Sequence, residues 1–337
     1  MCAHGGKELC SLKSWDQGRQ AEGESTPNAI ADNNNVAGGA ARAGGKSPAV
    51  TVITDRRRLQ GQSGRRSVAE YIAPQFANHG FSEWVPQPRP VSVVIPARNE
   101  EKCLPYVLSR IPPWVHEVIL VDGASVDATI EVARHHWPSI RVIRQTGKGK
   151  GAALRQGFSH STGDLIVAID ADGSMDPGEM GVFVGLLALG FDYVKGSRML
   201  PEGGSCDLTT FRRLGNWAFR TLTNLIHGSH YTDLCYGYFA FRRGTVDALP
   251  LRSDDFAIET EINIKAWKAG LRTIEVPSRE FDRIDGRSGL RPFGDGRRIL
   301  GAIFRELFTG SARRRANGDL RLLQPSPVVI DRNESVE

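Results

Sequence analysis

The sequence has no apolar run long enough to cross a bilayer. Its longest uncharged apolar stretch, Met180–Phe191, falls short of the roughly 20 residues a spanning helix needs and is interrupted by glycines. No basic N-terminal segment leads into an apolar core, so a secretory signal is not expected. Cysteine is sparse and unpaired in spacing: Cys2, Cys10, Cys103, Cys206 and Cys235 form no C-x-x-C. Neither a disulfide framework nor a zinc site is suggested, and a reducing cytoplasm fits best. No G-x-x-x-x-G-K-[ST] phosphate loop occurs, and no internal repeat.

What is present divides into three parts. Residues 1–88 are a linker-like extension. Its first portion, Met1–Gln62, is rich in Gly, Ala, Asn and Ser and has too little apolar surface to offset ordering entropy. It is expected to be disordered, with a short helix at Ser67–Phe76 and an extended proline-rich lead-in at Pro86–Pro90. Residues 89–312 carry a domain, and 313–337 a loose tail. The net charge of +5 lies partly in Arg56–Arg58, Arg65–Arg66 and Arg313–Arg315. Such clusters are usually solvated; no nucleic-acid partner is expected, and anionic lipid or a nucleotide phosphate is the sharper reading.

From Val91 strands and helices alternate. Strands are expected at Val91–Ile95, Glu117–Val121, Ile140–Ile143, Leu165–Ile169 and Asp192–Lys195. Helices are expected at Asn99–Ile111 (with Pro105 a kink), Ser125–His136, Gly151–His160 and Pro177–Leu189. This is the pattern of an α/β fold with a doubly wound, mostly parallel sheet. Right-handed crossovers bring the loops after the strands to one edge, where such sheets bind ligands.

The sharpest of those loops is Asp170-Ala-Asp172-Gly173, which follows a buried strand. Two carboxylates at i and i+2 across a turn can reach one hard cation, Mg²⁺ or Mn²⁺, shared with substrate phosphates. Asp122 could accept hydrogen bonds from a base or ribose, or could cap a helix, as could Ser125 or Asp127. Gly147-Lys-Gly-Lys-Gly151 could place N–H groups and the Lys150 ammonium near phosphate, or be a plain flexible loop. Arg198 could fork onto phosphate or pair with a structural carboxylate.

Taken in order, V-S-V-V-I-P-A-R-N-E-E, V-I-L-V-D-G-A-S-V-D-A-T, G-K-G-K-G-A-A-L-R-Q-G, I-D-A-D-G-S and K-G-S-R resemble the inverting glycosyltransferases of family 2. The resemblance runs from Val91 to about Leu300 and is nearest to dolichyl- or polyprenyl-phosphate sugar synthases. It implies the GT-A nucleotide-sugar-binding fold. It implies a metal at Asp170 and Asp172 and a GDP- or UDP-linked sugar held by Pro96, Arg98, Glu100, Asp122, Lys150, Asp170 and Arg198. Asp233, Glu259 and Ser288 would lie on the acceptor side, with Glu261 matching a second acidic position there. Asp170, Asp172, Arg198, Glu259 and Arg283 would carry catalysis. Arg283, Gly286 and Ser288 match a family loop that closes on the donor phosphates, although Asp282 stands where histidine is usual and Gly289 where lysine or asparagine is common.

The acceptor is then expected to be a polyprenyl phosphate, an anion that needs no general base. A hydroxyl acceptor would need one, with Asp254, Asp255 or Glu259 as candidates. A sugar nucleotidyltransferase and a non-catalytic nucleotide-sugar binding protein are the rival functions. The stripe Ile299, Leu300, Ile303, Phe304, Leu307 and Phe308 either packs on its own domain or lies on the cytoplasmic face of a membrane.

Overall fold

The computed structural model describes residues 51–53, 89–285, 289 and 291–309. Apart from Thr51–Ile53, the N-terminal extension, including Ser67–Phe76, lies outside the described residues, as do Gly286, Ser288 and the tail 313–337.

The strands are β1 (Thr51–Ile53), β2 (Val91–Ala97), β3 (Glu117–Asp122), β4 (Arg141–Arg144), β5 (Leu165–Ala168), β6 (Tyr193–Ser197), β7 (Gly204–Ser205), β8 (Phe239–Arg242), β9 (Thr273–Pro277) and β10 (Arg279–Glu280). The helices are α1 (Leu104–Ser109), α2 (Thr129–His136), α3 (Lys150–His160), α4 (Met180–Ala188), α5 (Thr210–His227), α6 (Arg243–Asp247), α7 (Ile258–Lys268) and α8 (Pro292–Phe308). Eight strands form one sheet in the order β1-β9-β6-β8-β5-β2-β3-β4, and β7 and β10 pair separately. Strands β2 to β6 and β9 share one direction, while β8 runs antiparallel between β5 and β6. The expected mostly parallel sheet is therefore present. Three residues expected to be disordered, Thr51–Ile53, instead form an antiparallel edge strand on β9; β-branched Thr, Val and Ile suit that position.

The apolar runs are buried on both faces, as a sheet covered by helices requires. Val93 and Ile95 face a core shared with Leu104, Val107 and Phe183, whereas Val94 faces one shared with Phe158, Phe239, Phe241 and Ile262. A third, smaller cluster joins α7 and α8 through Ile264, Ile299 and Ile303, with Phe219 and Leu222 of α5 against it.

Several elements differ from the sequence expectation. Helix α1 begins at Leu104, and Pro105 sits in its first turn, where its missing N–H costs nothing, so there is no kink. Helix α2 begins at Thr129. The intervening loops are joined by side chain–backbone bonds: Asn99 Oδ1 accepts from Val126 N (2.9 Å), Ser125 Oγ from Asn99 N (2.9 Å) and Asp127 Oδ2 from Glu101 N (3.2 Å). Residues that could have capped helices thus fasten the ends of β2 and β3 together. Helix α5, 18 residues long, was not anticipated; Thr209 caps it by accepting from Arg212 N, and left-handed Gly228 ends it. The stripe on α8 divides: Ile299 and Ile303 are buried, while Leu300, Phe304, Leu307 and Phe308 are exposed. Cys103 and Cys235 are free thiols.

Candidate active site

Strand β5 ends at Ala168, and the chain turns through Asp170, Ala171 and Asp172 into Gly173. Gly173 has φ +77°, and an added Cβ there would lie 2.4 Å from Ile284 Cδ1. Glycine is thus required twice, by conformation and by contact. The turn is fixed from two sides. Asp172 Oδ1 accepts from Ser174 N (3.0 Å), and Phe281 N and Ile284 N donate to the carbonyls of Ser174 and Asp172 at 2.7 and 3.2 Å. The segment after β10 is therefore laid directly over the two aspartates.

Each aspartate carries a cationic side chain. Lys150 Nζ lies 2.6 Å from Asp170 Oδ1 and 2.9 Å from Glu259 Oε1. Arg283 Nη1 lies 2.6 Å from Asp172 Oδ2, with its Nε 3.5 Å from Asp207 Oδ2. Burial disfavours charge on Lys150, but Asp170 and Glu259 outweigh it and hold its pKa above the ordinary lysine value. Burial raises the Glu259 carboxyl, with Lys150 opposing. One oxygen of Glu259, Oε2, is buried without a hydrogen-bond partner. Burial likewise pushes Glu100 up to about 7; Asp172 and Asp170 add to this, Cys103 and Arg283 oppose it.

Sequence reasoning missed Gly237. A Cβ on it would sit 2.6 Å from Lys150 Nζ, 3.3 Å from Asp170 Oδ2 and 3.4 Å from Glu259 Oε1. The bare backbone of Gly237 leaves the room in which the three charged groups meet. Its only signal was a glycine between two tyrosines in the segment leading into β8.

The glycine-rich loop before α3 serves a purpose the sequence did not suggest. An added Cβ at Gly149 or Gly151 would lie 2.3 Å from the carbonyl oxygens of Asp254 and Ser253 respectively. Ala152 N donates to Asp254 O (3.1 Å). The glycines admit the 253–255 backbone against the start of α3, so part of that helix end is already satisfied by protein. This amide is therefore taken up by Asp254 O rather than left for phosphate. Lys148 is exposed.

Arg198 is held by carboxylates. Its Nε and Nη2 donate to Asp233 Oδ2 and Oδ1 at 2.7 and 3.0 Å, its Nη1 to Glu280 Oε2 at 3.0 Å, and it stacks on Tyr236 at 4.8 Å. Burial opposes the Asp233 charge, but Arg198 and Lys195 hold its pKa well below the usual range. Asp233 is fully buried behind Arg198, so the expected acceptor-side contact becomes the positioning of an arginine. Glu261 is also internal: it accepts from Arg252 N (2.9 Å), Ser253 N (2.6 Å) and Lys265 Nζ (2.5 Å), which makes it an anchor for the 252–253 loop. Asp254 and Asp255 are paired with Arg155 and Arg298.

Pro96, Arg98, Glu100 and Asp122 stand at the same sheet edge, at the ends of β2 and β3. Asp122 is buried and accepts from Ser125 N at 3.3 Å; Arg98 is exposed. Ser288 lies outside the described residues. Arg283 does not pair with Asp282 or Asp285; Asp285 instead meets Lys102 at 2.9 Å.

These groups floor one cavity. Lys150, Asp170, Arg198, Glu259 and Arg283 line its polar end. Leu208, Phe211, Phe219, Phe256, Pro292 and Ile299 line the rest, between α5 and α8. Among the described residues no three His, Cys, Asp or Glu side chains cluster as metal ligands. Two hard carboxylate ligands suit Mg²⁺ or Mn²⁺, ions that complete their shell with water and phosphate oxygen, so Asp170 and Asp172 fit such an ion.

The family model "Glycosyl transferase family 2" matches residues 92–249. The chain is 32% identical over 227 residues to glycosyltransferase AglJ of Haloferax volcanii, covering 66% of this chain and 73% of that protein. It is 31% identical over 210 residues to the undecaprenyl-phosphate mannosyltransferase of Micrococcus luteus, covering 59% and 86%. In fold it is similar to glucosyl-3-phosphoglycerate synthase from Mycobacterium tuberculosis, solved with Mn²⁺, uridine diphosphate and phosphoglyceric acid. That match has a TM-score of 0.55 and 21% identity, over 74% of this chain and 86% of the other. A GT-A sheet, an aspartate pair at the end of its fifth strand and relatives of this kind agree: the chain is a glycosyltransferase and belongs to family 2.

Proposed function

We propose that the protein transfers a sugar, with inversion, from a nucleoside diphosphate sugar to a polyprenyl phosphate, and that Mg²⁺ or Mn²⁺ at Asp170 and Asp172 assists. The observation that carries this reading is the cavity's composition: a charged floor at the aspartate pair, continued by an apolar trough between α5 and α8. A phosphate on an isoprenoid chain has the same two-part chemistry. The undecaprenyl-phosphate acceptor in the name of the Micrococcus relative supports it, as do the Mn²⁺ and uridine diphosphate of the structural neighbour.

The ion, when bound, would neutralise charge developing on the leaving diphosphate. The chain's own groups have complementary tasks. Lys150 and Arg283 place positive charge at the same point, preorganised by the fold, the kind of electrostatic stabilisation that is often the largest catalytic contribution. Arg283, whose side chain is paired with the carboxylates of Asp172 and Asp207, is on this reading the group that turns to the donor phosphates. An acceptor phosphate is already anionic, so Glu259 is not required to remove a proton; it keeps Lys150 charged and directed toward Asp170. No described helix is long and apolar enough to cross a membrane. Part of the same proposal is that the lipid is met by peripheral association at the cytoplasmic face.

The test is a matrix of GDP- and UDP-sugars against undecaprenyl phosphate and phosphoglyceric acid, each with Mn²⁺, Mg²⁺ or chelator. Metal-dependent formation of a lipid-phosphate sugar with release of nucleoside diphosphate is the expected result. Sugar appearing only on phosphoglyceric acid would transfer the protein to the small-acceptor class. Release of inorganic diphosphate from a nucleoside triphosphate and sugar phosphate would make it a nucleotidyltransferase.

A further inference from the structure

We propose that the outer face shared by α5 and α8 docks on an anionic lipid bilayer and holds the mouth of the cavity at its surface. The inference rests on the lipid-acceptor reading above and names the surface that would deliver the acceptor.

The two helices lie side by side and run the same way. The rings of Phe211 and Phe293 are 6.0 Å apart, Phe219 packs on Gly296, and His227 Nε2 lies 3.0 Å from Ile303 O. Ten large apolar side chains are exposed among the described residues. Four belong to α5 and five to α8, the remaining one being Val126. Leu225, Phe293 and Phe308 are 81%, 86% and 88% exposed, values of side chains that stand clear of the domain rather than at the margin of its core. Such a concentration on one face marks an interaction surface. Its inner edge is the cavity: Phe211 and Pro292 line the trough.

The charge on this face identifies the occupant. Helix α5 contains no Asp or Glu. The two acids of α8, Asp295 and Glu306, are both buried. Outward-facing Arg213 and Arg297 are therefore unopposed by any carboxylate of the two helices. A second copy of this chain is a poor match, because a symmetric contact would set these arginines against themselves. Aromatic and aliphatic side chains interleaved with arginine suit the boundary between acyl chains and anionic headgroups.

The experiment is flotation of the full-length chain with vesicles of phosphatidylcholine, alone or mixed with phosphatidylglycerol. Binding to the mixed vesicles is expected, weakening as salt rises from about 0.1 M to about 1 M and the screening length falls from ~10 to ~3 Å. Two double variants follow, Phe293→Ser with Leu225→Ser and Arg213→Glu with Arg297→Glu. Each is expected to lower vesicle partitioning at least roughly tenfold, by loss of buried apolar area in one case and of headgroup attraction in the other. Melting temperature and turnover of a water-soluble short-chain prenyl phosphate are expected to stay at wild-type values. Absence of binding to mixed vesicles, or binding at the wild-type level by both variants, overturns the proposal. So does a wild-type dimer in sedimentation that the variants dissociate. Turnover of the short-chain substrate without vesicle binding sinks the docking alone. Variant-sensitive vesicle binding without transfer to any prenyl phosphate supports the docking and sinks the acceptor assignment.

Discussion

Lys150 is the residue on which the polar end of the cavity depends. It bridges Asp170 and Glu259 from the first turn of α3, and Gly237 leaves the space for it. Gly237→Ala is expected to displace the ammonium while leaving the strand order intact, because only the far end of a flexible side chain is struck. Its transfer rate should fall at least roughly tenfold, the loss of about 1.4 kcal/mol of transition-state stabilisation, with a melting temperature near wild type. A mutant with wild-type rate would show that Lys150 is structural. Arg283→Ala should lower the rate by a similar factor through loss of one charge-assisted contact to the diphosphate, and Arg283→Lys should restore only part of it, since the forked geometry is gone. Asp170, Asp172 and Lys150 were readable from sequence because each sits within a few residues of a strand or helix end. The roles of Arg198 and Asp233 were not, since their pairing spans 35 positions and depends on where β6 and the segment before β8 meet.

At the scale of elements, Glu117 at the start of β3 ties three neighbours together. It accepts from Ser92 Oγ of β2 (2.6 Å) and Thr162 Oγ1 (2.7 Å), and it pairs with Arg141 of β4 (2.5 Å). Burial opposes its charge, but these donors prevail and bring its pKa down to about 2 from 4.5. A depressed carboxylate stabilises the fold above the unfolded value and loses that contribution as pH falls through the folded one. Glu117→Gln is therefore expected to cost about 3 kcal/mol at neutral pH, from the shift at ~1.4 kcal/mol per unit, and to match wild type near pH 2. Chemical denaturation at the two pH values checks it; an equal loss at both would mean that packing, not charge, is responsible. The glycines before α3 were legible as a special loop but not as a docking place for residues 253–255, a contact about a hundred residues away in sequence. Helix α5 was overlooked although Phe211, Leu214, Ala218, Leu222 and Leu225 recur at helical spacing; much of that apolar surface faces the cavity and the exterior rather than the core.

For the whole molecule, the alternation of apolar runs and helical segments was enough to give the mostly parallel sheet and the edge on which its loops gather. The antiparallel insertion of β8 and the edge pairing of Thr51–Ile53 were set by long-range partners that no local pattern specifies. The candidate site was legible at its centre, in the two aspartates, and illegible at its walls, which α5 and α8 supply from distant parts of the chain. The central claim is that Asp170 and Asp172 hold a divalent ion on the donor diphosphate. Calorimetric titration of UDP and of GDP into the full-length chain, with Mn²⁺ and with chelator, tests it most directly. The account predicts that one of the two nucleotides binds at least roughly tenfold more tightly with Mn²⁺, a coupling of about 1.4 kcal/mol. Asp172→Asn should abolish that difference without lowering the melting temperature. Equal affinity with and without the ion, or a metal effect that survives in Asp172→Asn, would contradict it.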